Sequence, residues 1–553
     1  MQAGEGAPDG TLRGVVAWTA SNGVSLARTA AYLSFVLIVA PFFYHLAQGS
    51  QAYLGLFEDD YFYYATIADH WLASGKVTYD GATLTNGFHP LWFLVIAALR
   101  GLAGGLGPAF YVGLATIFLA VLIATYELSR RLAEALGAKP VTAAALAAVY
   151  SVGAGRLLTT GLECAIAVPL FSWLLLEIAR PEPVTPRRAV KLGFIASLAV
   201  LARLDIGIAV AIAIAGYLLF VRPKLALALR LLAAFACGGV LVPLYAAINI
   251  YYFDSLIPVS ALAKRVQTGW GFDLNYARAV AFGTFYGPTI GIVLPLGTFA
   301  LFSLYRADPS RSTHARFAGA VALSFAFLFF ALNALSGWIF FGWYAYPLQA
   351  AAIASLVFIV ERWRTLLSSQ QLRVAVIAVA VALAPAMALR YYVQRGPSWS
   401  VADNALLAMS YDLSRHVHDK QGVFAMGACA GVASYVLDKR VVQLEAIVAD
   451  RGMVEHLKRQ DPLAAVLKER GVDYLVVAFV GAKPKMVDGC YALSEPNPQW
   501  AGKRSAVMRG DLCSAPIERF ITPAGPHAWS AFPEVETLVW SLRDARWREN
   551  SLR

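Results

Sequence analysis

Three consecutive acids, Glu58-Asp59-Asp60, follow the first hydrophobic run of a very apolar chain. Paired carboxylates beside a membrane helix are costly unless they are used. They open a long polar stretch, FEDDYFYYATIADHWLASGKVTYDGATLTNGFHPLWF, rich in Tyr, Trp, His, Asn and Thr. Such residues suit a sugar-handling site at a membrane surface. One acid of the Asp59–Asp60 pair could act as general base on an acceptor hydroxyl while a leaving group departs. Neighbouring carboxylates raise each other's pKa, which brings one of the two closer to neutral pH. The same pair could assist a divalent cation, and the plainer alternative is a solvated helix cap.

Other unusual polar residues fall at the ends of apolar runs. His89 could contact a phosphate or a sugar hydroxyl, and Thr85 and Asn86 could cap the helix that follows. Arg156 and Glu163 bracket the turn RLLTTGLE, where an unpaired acid needs a partner or a substrate hydroxyl. Arg203 and Asp205 interrupt LARLDIGIA; they either pair with each other or leave Arg203 for a phosphate headgroup. Lys264 and Arg265 follow Pro258 and either meet an anionic ligand or snorkel to lipid headgroups. Trp338, Trp343, Tyr344 and Tyr346 form an aromatic set that either belts the membrane interface or stacks on a sugar.

The elements that must position these residues are membrane helices. The chain has 553 residues, 58% of them hydrophobic, and a mean hydropathy of +0.58. A soluble protein of this length is not so apolar. Apolar runs of roughly 17–25 residues are long enough to span a bilayer, and lipid forces them into helices. Residues 1–29 read as a cytoplasmic tail before an uncleaved anchor. Spans are predicted near 30–48, 108–128, 141–156, 163–179, 192–203, 206–221, 227–250, 286–305, 317–334, 344–360 and 374–390, about eleven in all.

Basic loops at Arg130-Arg131, Arg180 to Lys191, Arg222-Lys224, Arg306 to Arg316 and Arg362-Arg364 should be cytoplasmic. That accounts for much of the net charge of +11 without nucleic acid. The large loop 50–107, the turns near 156–163 and 203–205, and the loop 251–285 then face outward. Treating His89 to Gly104 as a span would invert every later loop. It reads instead as a surface helix started by Pro90, with Trp92 at the interface.

Residues 391–553 change character, with more charge and shorter apolar runs. GVFAMGACAGVASYV, KRVVQLEAIV and DYLVVAFVG predict strands and a helix of a small α/β domain outside the cytoplasm. Asp461 to Arg470 predicts a short helix capped by Asp461, with Pro462 first and Leu463, Val466 and Leu467 on one face. Of five cysteines, Cys164 and Cys237 read as packing residues. Cys490–Cys513 is a plausible disulfide. No cysteine or histidine cluster has metal-site spacing. GACAG lacks the full spacing of a nucleotide fingerprint.

The order of FEDDYFYYATIADHWLASG, TNGFHPLWF, TTGLECAIAVPL, LARLDIG and YYFDSLIPVSALAK resembles the GT-C superfamily of integral-membrane glycosyltransferases. It is similar to the bacterial cell-wall arabinofuranosyltransferase branch, over roughly residues 50–350. The resemblance implies a polyprenyl-phosphate sugar donor and transfer outside the cytoplasm, usually with inversion. It implies Asp59 as catalytic base, Asp60 as base or orienter, and Arg203, Lys264, Arg265 and His89 around the donor phosphate. It implies Glu163 as the acid of a Gly-x-Glu turn; Glu163, with Asn86, Trp343 and Tyr346 from their residue types, is expected toward sugar or acceptor, and Asp59 and Asp60 on any divalent cation. Phe253 and Leu204 depart from the Gly and Pro common in relatives, which bears on loop shape and substrate. The implied partners are the lipid-linked donor, a cell-envelope glycan, lipid or protein acceptor, and the inner membrane itself. The rival readings are a flippase of lipid-linked sugars and a non-catalytic assembly scaffold; charges at one face and the lack of a repeat favour an enzyme.

Overall fold

The computed structural model describes residues 9–267, 271, 274, 289–307, 313–336, 341–363, 370–480, 483–496, 506–528 and 534–548. Helices dominate up to residue 395, and all the described strands follow it. Proline starts several helices. Pro90, Pro108, Pro140 and Pro186 each sit in a first turn, where the missing N–H costs nothing. Large apolar side chains such as Leu219, Phe220, Leu225 and Phe299 remain exposed on helices, as expected of faces turned to lipid.

Four helices are long and apolar enough to cross a membrane: Asn22–Ala47, Pro108–Ala135, His314–Ser336 and Gly342–Arg362. Leu225–Gly238 and Leu241–Phe253 make a fifth span if read together across their 57° bend. The expected count of about eleven is therefore not reached by length and composition. Apolar helices do stand at Pro140–Gly153, Cys164–Ala179, Ile206–Val221 and Gly291–Ala307, but each is short. A 14-residue helix reaches about 21 Å, against a hydrocarbon core of roughly 30 Å. Pro186–Ala202 and Gln370–Arg395 are helical as expected. Residues 286–288 of one expected span, and Trp338, lie outside the described residues.

The helix Pro90–Ala103 is likewise too short to cross, in agreement with its reading as a non-spanning helix. Trp92 is not at the interface, however. It is fully buried, and its indole N–H donates to the Gly161 carbonyl at 2.7 Å. Cys237 is exposed on its helix rather than packed inside, while Cys164 is buried.

Helix Pro186–Ala202 meets helix Leu225–Gly238 at backbone contact. A Cβ at Gly193 would lie 2.0 Å from the Phe235 carbonyl oxygen, and one at Gly238 would lie 2.0 Å from that of Val190. Small residues permit this approach, which substitutes for the hydrophobic drive that lipid removes.

The C-terminal strands form two sheets. The first has the order β2-β1-β3-β8-β7, from Phe424–Met426 (β1), Val441–Gln443 (β2), Tyr474–Val480 (β3), Glu518–Pro523 (β7) and Glu534–Ser541 (β8). Its first three strands are parallel and β8 and β7 antiparallel. The second is an antiparallel sheet of Met486–Val487 (β4), Cys490–Glu495 (β5), Met508–Leu512 (β6) and Trp547–Arg548 (β9). A Cys490–Cys513 disulfide joins β5 to the residue after β6. The short helix is Leu463–Glu469, with Leu463, Val466 and Leu467 buried. Its N-cap is Pro462, and Asp461 instead bonds His456 and Arg459.

Substituting Gly193→Val should lower the thermal unfolding midpoint of the detergent-solubilised protein, by a destabilisation of about 1–3 kcal/mol or more from backbone overpacking. Reducing the Cys490–Cys513 disulfide, whose cysteines are separated by 23 residues, should cost about 3 kcal/mol of unfolding free energy in the C-terminal region.

Candidate active site

The loops that join helices at the sheet-bearing end converge on the three acids. Glu58 is the extended N-cap of the helix Asp59–Ser74, and Asp59 and Asp60 occupy its first turn. Carboxylates there complement the helix macrodipole. The Glu58 N–H donates to the Thr160 carbonyl at 3.1 Å. Arg156 lies 3.7 Å from the Glu58 carboxylate. The RLLTTGLE turn is thereby fixed against the start of this helix.

Asp59 faces the C-terminal region. Its carboxylate accepts the Val432 N–H at 2.8 Å and the Gly431 N–H at 3.3 Å, both in the first turn of the helix Ala430–Leu437. Only glycine fits at 431, since a Cβ would stand 2.3 Å from the Asp59 carbonyl oxygen. Tyr79 supports the junction, its hydroxyl donating to the Ala430 carbonyl at 2.7 Å.

Asp60 faces elsewhere. Its carboxylate makes no hydrogen bond among the described residues, and its nearest charges include Asp59, Lys264 and Glu163. Burial, then the Asp59 charge, pushes Asp60 up to about 7. Burial pushes Asp59 up to about 6, against the pull of its two backbone donors. A third acid, Glu445, follows β2 and is buried. Burial and the Asp60 and Asp59 charges push it up to about 8, so at neutral pH it carries its proton. Glu445 is held by its own carbonyl, which accepts from Gln267 at 2.8 Å, and by Gln443 on its carboxylate at 3.2 Å.

Beneath the acids lies a buried polar network. Glu163 accepts the Tyr64 hydroxyl at 2.9 Å and Arg203 at 2.9 Å, with His89 at 3.7 Å. Arg203 also grips Asp205 at 3.1 and 3.3 Å, and lies 4.5 Å from the Tyr346 ring centroid. The Tyr346 hydroxyl donates to Asp205 at 2.8 Å. Lys264 donates to the Tyr344 hydroxyl at 2.8 Å. Arg203 is only 3% exposed.

This placement changes several expected roles. Arg203 is bonded to two carboxylates, those of Glu163 and Asp205. Tyr346 is buried under Arg203. Asn86 does not cap the helix that follows it. Its side chain bonds Asn249, in the helix Leu241–Phe253, at 3.2 Å and accepts the N–H of Val259, first residue of the helix Val259–Gln267, at 2.9 Å. Thr85 likewise bonds the Gly87 N–H instead of capping. Arg265 is exposed, while Lys264, one residue earlier, turns inward. Trp343 stacks on Phe341 at 4.5 Å.

The fold has solved counterparts. Archaeoglobus fulgidus AglB, an oligosaccharyltransferase solved with an inhibitory peptide and a dolichol-phosphate, matches with a TM-score of 0.50 and 12% identity, over 83% of this chain and 70% of that one. The chain shares the fold of that oligosaccharyltransferase. ArnT from Cupriavidus metallidurans, bound to undecaprenyl phosphate, matches over 95% of this chain and 98% of that one at 12% identity, with a TM-score of 0.49. The mycobacterial arabinofuranosyltransferase AftD matches over 93% of this chain and 41% of that one at 15% identity, with a TM-score of 0.44. No family model and no curated protein matches the sequence.

No group of three His, Cys, Asp or Glu among the described residues has the arrangement to hold a metal ion, and Asp59 and Asp60 alone do not make such a set. Glu445 escaped the sequence reading. Its signal was an acid inside the apolar run KRVVQLEAIV, between Leu444 and Ala446.

Arg203→Ala should leave Glu163 and Asp205 without their buried cation and destabilise the protein by about 3–5 kcal/mol, measured by thermal unfolding in nanodiscs. Arg203→Lys should recover only part of that loss, because a lysine lacks the fork that grips two carboxylates.

Proposed function

We propose that this chain is a glycosyltransferase that moves a sugar from a polyprenyl-phosphate donor to a hydroxyl of a cell-envelope glycan, lipid or protein. The observation that carries the reading is Asp60, a half-buried carboxylate with no hydrogen-bond partner among the described residues, set near Lys264 where the helix bundle meets the sheets. The fold likeness to AglB supports it, since that protein was solved with a dolichol-phosphate.

In this mechanism Asp60 takes the proton of the acceptor hydroxyl. The acceptor oxygen attacks the anomeric carbon, and the bond from that carbon to the phosphate oxygen breaks. The electron pair leaves with the polyprenyl phosphate, and the configuration inverts. A lipid phosphate is already a good leaving group, so it needs a cation more than a strong acid, and Lys264 supplies that charge. Asp59 acts as a positioning residue, because its oxygens are held by Gly431 and Val432. Glu445, neutral at pH 7, keeps a third negative charge out of the site.

The same reading places the protein in the inner membrane with about eleven spans, its sheets and acids on the outer face. Among the described residues, the loops expected outward contact one another, through Glu58 and Thr160, Arg203 and Glu163, and Asn86 and Val259, which supports this sidedness. Arabinofuranose is the donor sugar that the sequence resemblance favours.

Asp60→Asn should lower transfer by about 10²–10⁴-fold, the usual share of a general base, while donor-lipid binding persists. Turnover of purified protein on a panel of polyprenyl-phosphate sugars is the measurement; full activity of the variant would refute the assignment. Because a base must be ionised to accept a proton and Asp60 is pushed up to about 7, kcat/KM should fall about tenfold per pH unit below that value and level off above it. A profile flat from pH 5 to 8 would rule Asp60 out.

A further inference from the structure

The bonds among Glu163, Arg203 and Asp205 fix one end of three helices. Cys164–Ala179 leaves Glu163, Pro186–Ala202 runs up to Arg203, and Ile206–Val221 leaves Asp205. Away from that end the helices part. Pro186–Ala202 leans on Leu225–Gly238 at Gly193 and Gly238. Ile206–Val221 leans instead on Thr313–Ser336, where a Cβ at Gly216 would stand 2.7 Å from the Phe317 ring. Between these two pairs lies an apolar slot, lined among others by Leu174, Leu192, Ile214, Leu231 and Phe235.

We propose that this slot holds an acyl chain of an anionic diacyl phospholipid, whose headgroup rests on the basic links at the slot's rim. The proposal goes beyond the transferase reading and does not depend on it.

Helix geometry places the slot. Arg188 and Ala196 both line it, as do Val210 and Leu218. Eight residues of helix make it about 12 Å deep. Arg188 stands 15 residues before Arg203, and Ile178 stands 15 after Glu163. The rim is therefore about 22 Å from the Arg203 network, at the opposite end of the helices. Among the described lining residues only Arg188, Tyr217 and His314 bring polar tips, and all three stand near that rim. The rest of the wall is hydrocarbon. Leu192, Ile214 and Leu232 are only half-buried, so the slot presents accessible carbon. Water would find too few polar partners deep in it, and an empty slot would forfeit dispersion contacts along its whole length. A lipid chain supplies them.

The rim selects the headgroup. Ile178 and Val184 both line the slot, and Arg180 stands on the link between them. Leu218 and Ala228 both line it, and Arg222 and Lys224 stand on the link between those. With Arg187, Arg188 and Lys191 this makes six cations, against only Glu177 and Glu182 on the same stretches. Arg180 and Lys191 share the Glu177 carboxylate, at 3.3 and 2.8 Å. Arg188 is turned onto the carbonyls of Glu177, Arg180 and Glu182, which holds its charge at the rim. Arg187, Arg222 and Lys224 are exposed and make no ion pair among the described residues. A phosphodiester placed there meets charge that no carboxylate offsets, the pattern of a basic anionic-lipid site between membrane helices. The donor phosphate is assigned to Lys264, toward the other end of the bundle, so a chain entering at this rim brings its own headgroup. Once seated, it fills the gap between the helices that present Glu163, Arg203 and Asp205.

The test uses the full-length protein in phosphatidylcholine nanodiscs doped with phosphatidylglycerol that carries a photoactivatable acyl chain. Crosslinks mapped by mass spectrometry should fall on slot residues such as Leu192, Ile214 and Leu231. A phosphatidylcholine probe with the same chain should label them several-fold less. Ala213→Phe fills the slot from a half-buried position and should abolish this labelling. The combined Arg187→Gln, Arg222→Gln and Lys224→Gln variant changes only exposed, unpaired side chains. It should fold normally and lose the preference for phosphatidylglycerol. The thermal midpoint should be higher in phosphatidylglycerol discs than in phosphatidylcholine discs for the wild type, and equal in the two for the triple variant. Equal labelling by the two probes, labelling confined to the outer faces of the helices, or a preference that survives the triple variant would overturn the proposal. So would displacement of the probe by an equimolar polyprenyl phosphate, which would give the slot to a prenyl chain.

Discussion

The Arg203 guanidinium is the point on which the site geometry depends. It is buried, joined to Glu163 and Asp205, and lies against the Tyr346 ring. Removing two carboxylates and a guanidinium from water is costly, and mutual attraction offsets it only in good geometry. The geometry is good because its members come from three separate connections between helices. Glu163 precedes the helix Cys164–Ala179, Arg203 and Asp205 link two helices, and Tyr346 precedes the helix Leu348–Arg362. Tyr64, from the helix that carries the acids, completes the set. The network thus clamps four helix ends together and sets where Asp60 stands.

Above that clamp the carboxylates are sorted by environment. Asp59 has two backbone donors, Asp60 has a lysine near it, and Glu445 has an amide and little else. Three acids this close cannot all ionise near neutral pH. Burial acts on all three, and the donors decide the order in which they lose protons. Burial lifts all three, Asp59 least, because it alone has two backbone donors on its carboxylate.

Much of this was legible in the sequence. The acids stood out because charge beside an apolar run is costly, and LARLDIG stood out for the same reason. Pro90 marked the start of a helix too short to cross, and the strands of FAM, VVQ and YLVVAFV lay inside recognisable apolar runs. What stayed hidden depends on contacts distant in sequence. Nothing local says that Trp92 donates to Gly161, that Asn86 reaches Val259, or that Asp59 meets Val432. Tyr346 and Trp343 read as an interfacial belt because aromatic residues at a helix end fit that role equally well. Glu518–Pro523 escaped notice because its exposure alternates and its side chains are largely polar. Length and composition support four or five of the expected spans, because bends and short helices divide the apolar runs that hydropathy reads as continuous.

The bond between Asp59 and the helix Ala430–Leu437 joins residues 372 and 373 positions apart. During synthesis the acid pair is therefore made early, and the backbone donors that fix Asp59 arrive only after every intervening membrane helix has been made. Until then the carboxylates stand at the bilayer edge without those donors. The order of translation itself keeps a half-made chain from presenting the acid pair in its finished setting, which waits for the helix Ala430–Leu437 to be in place.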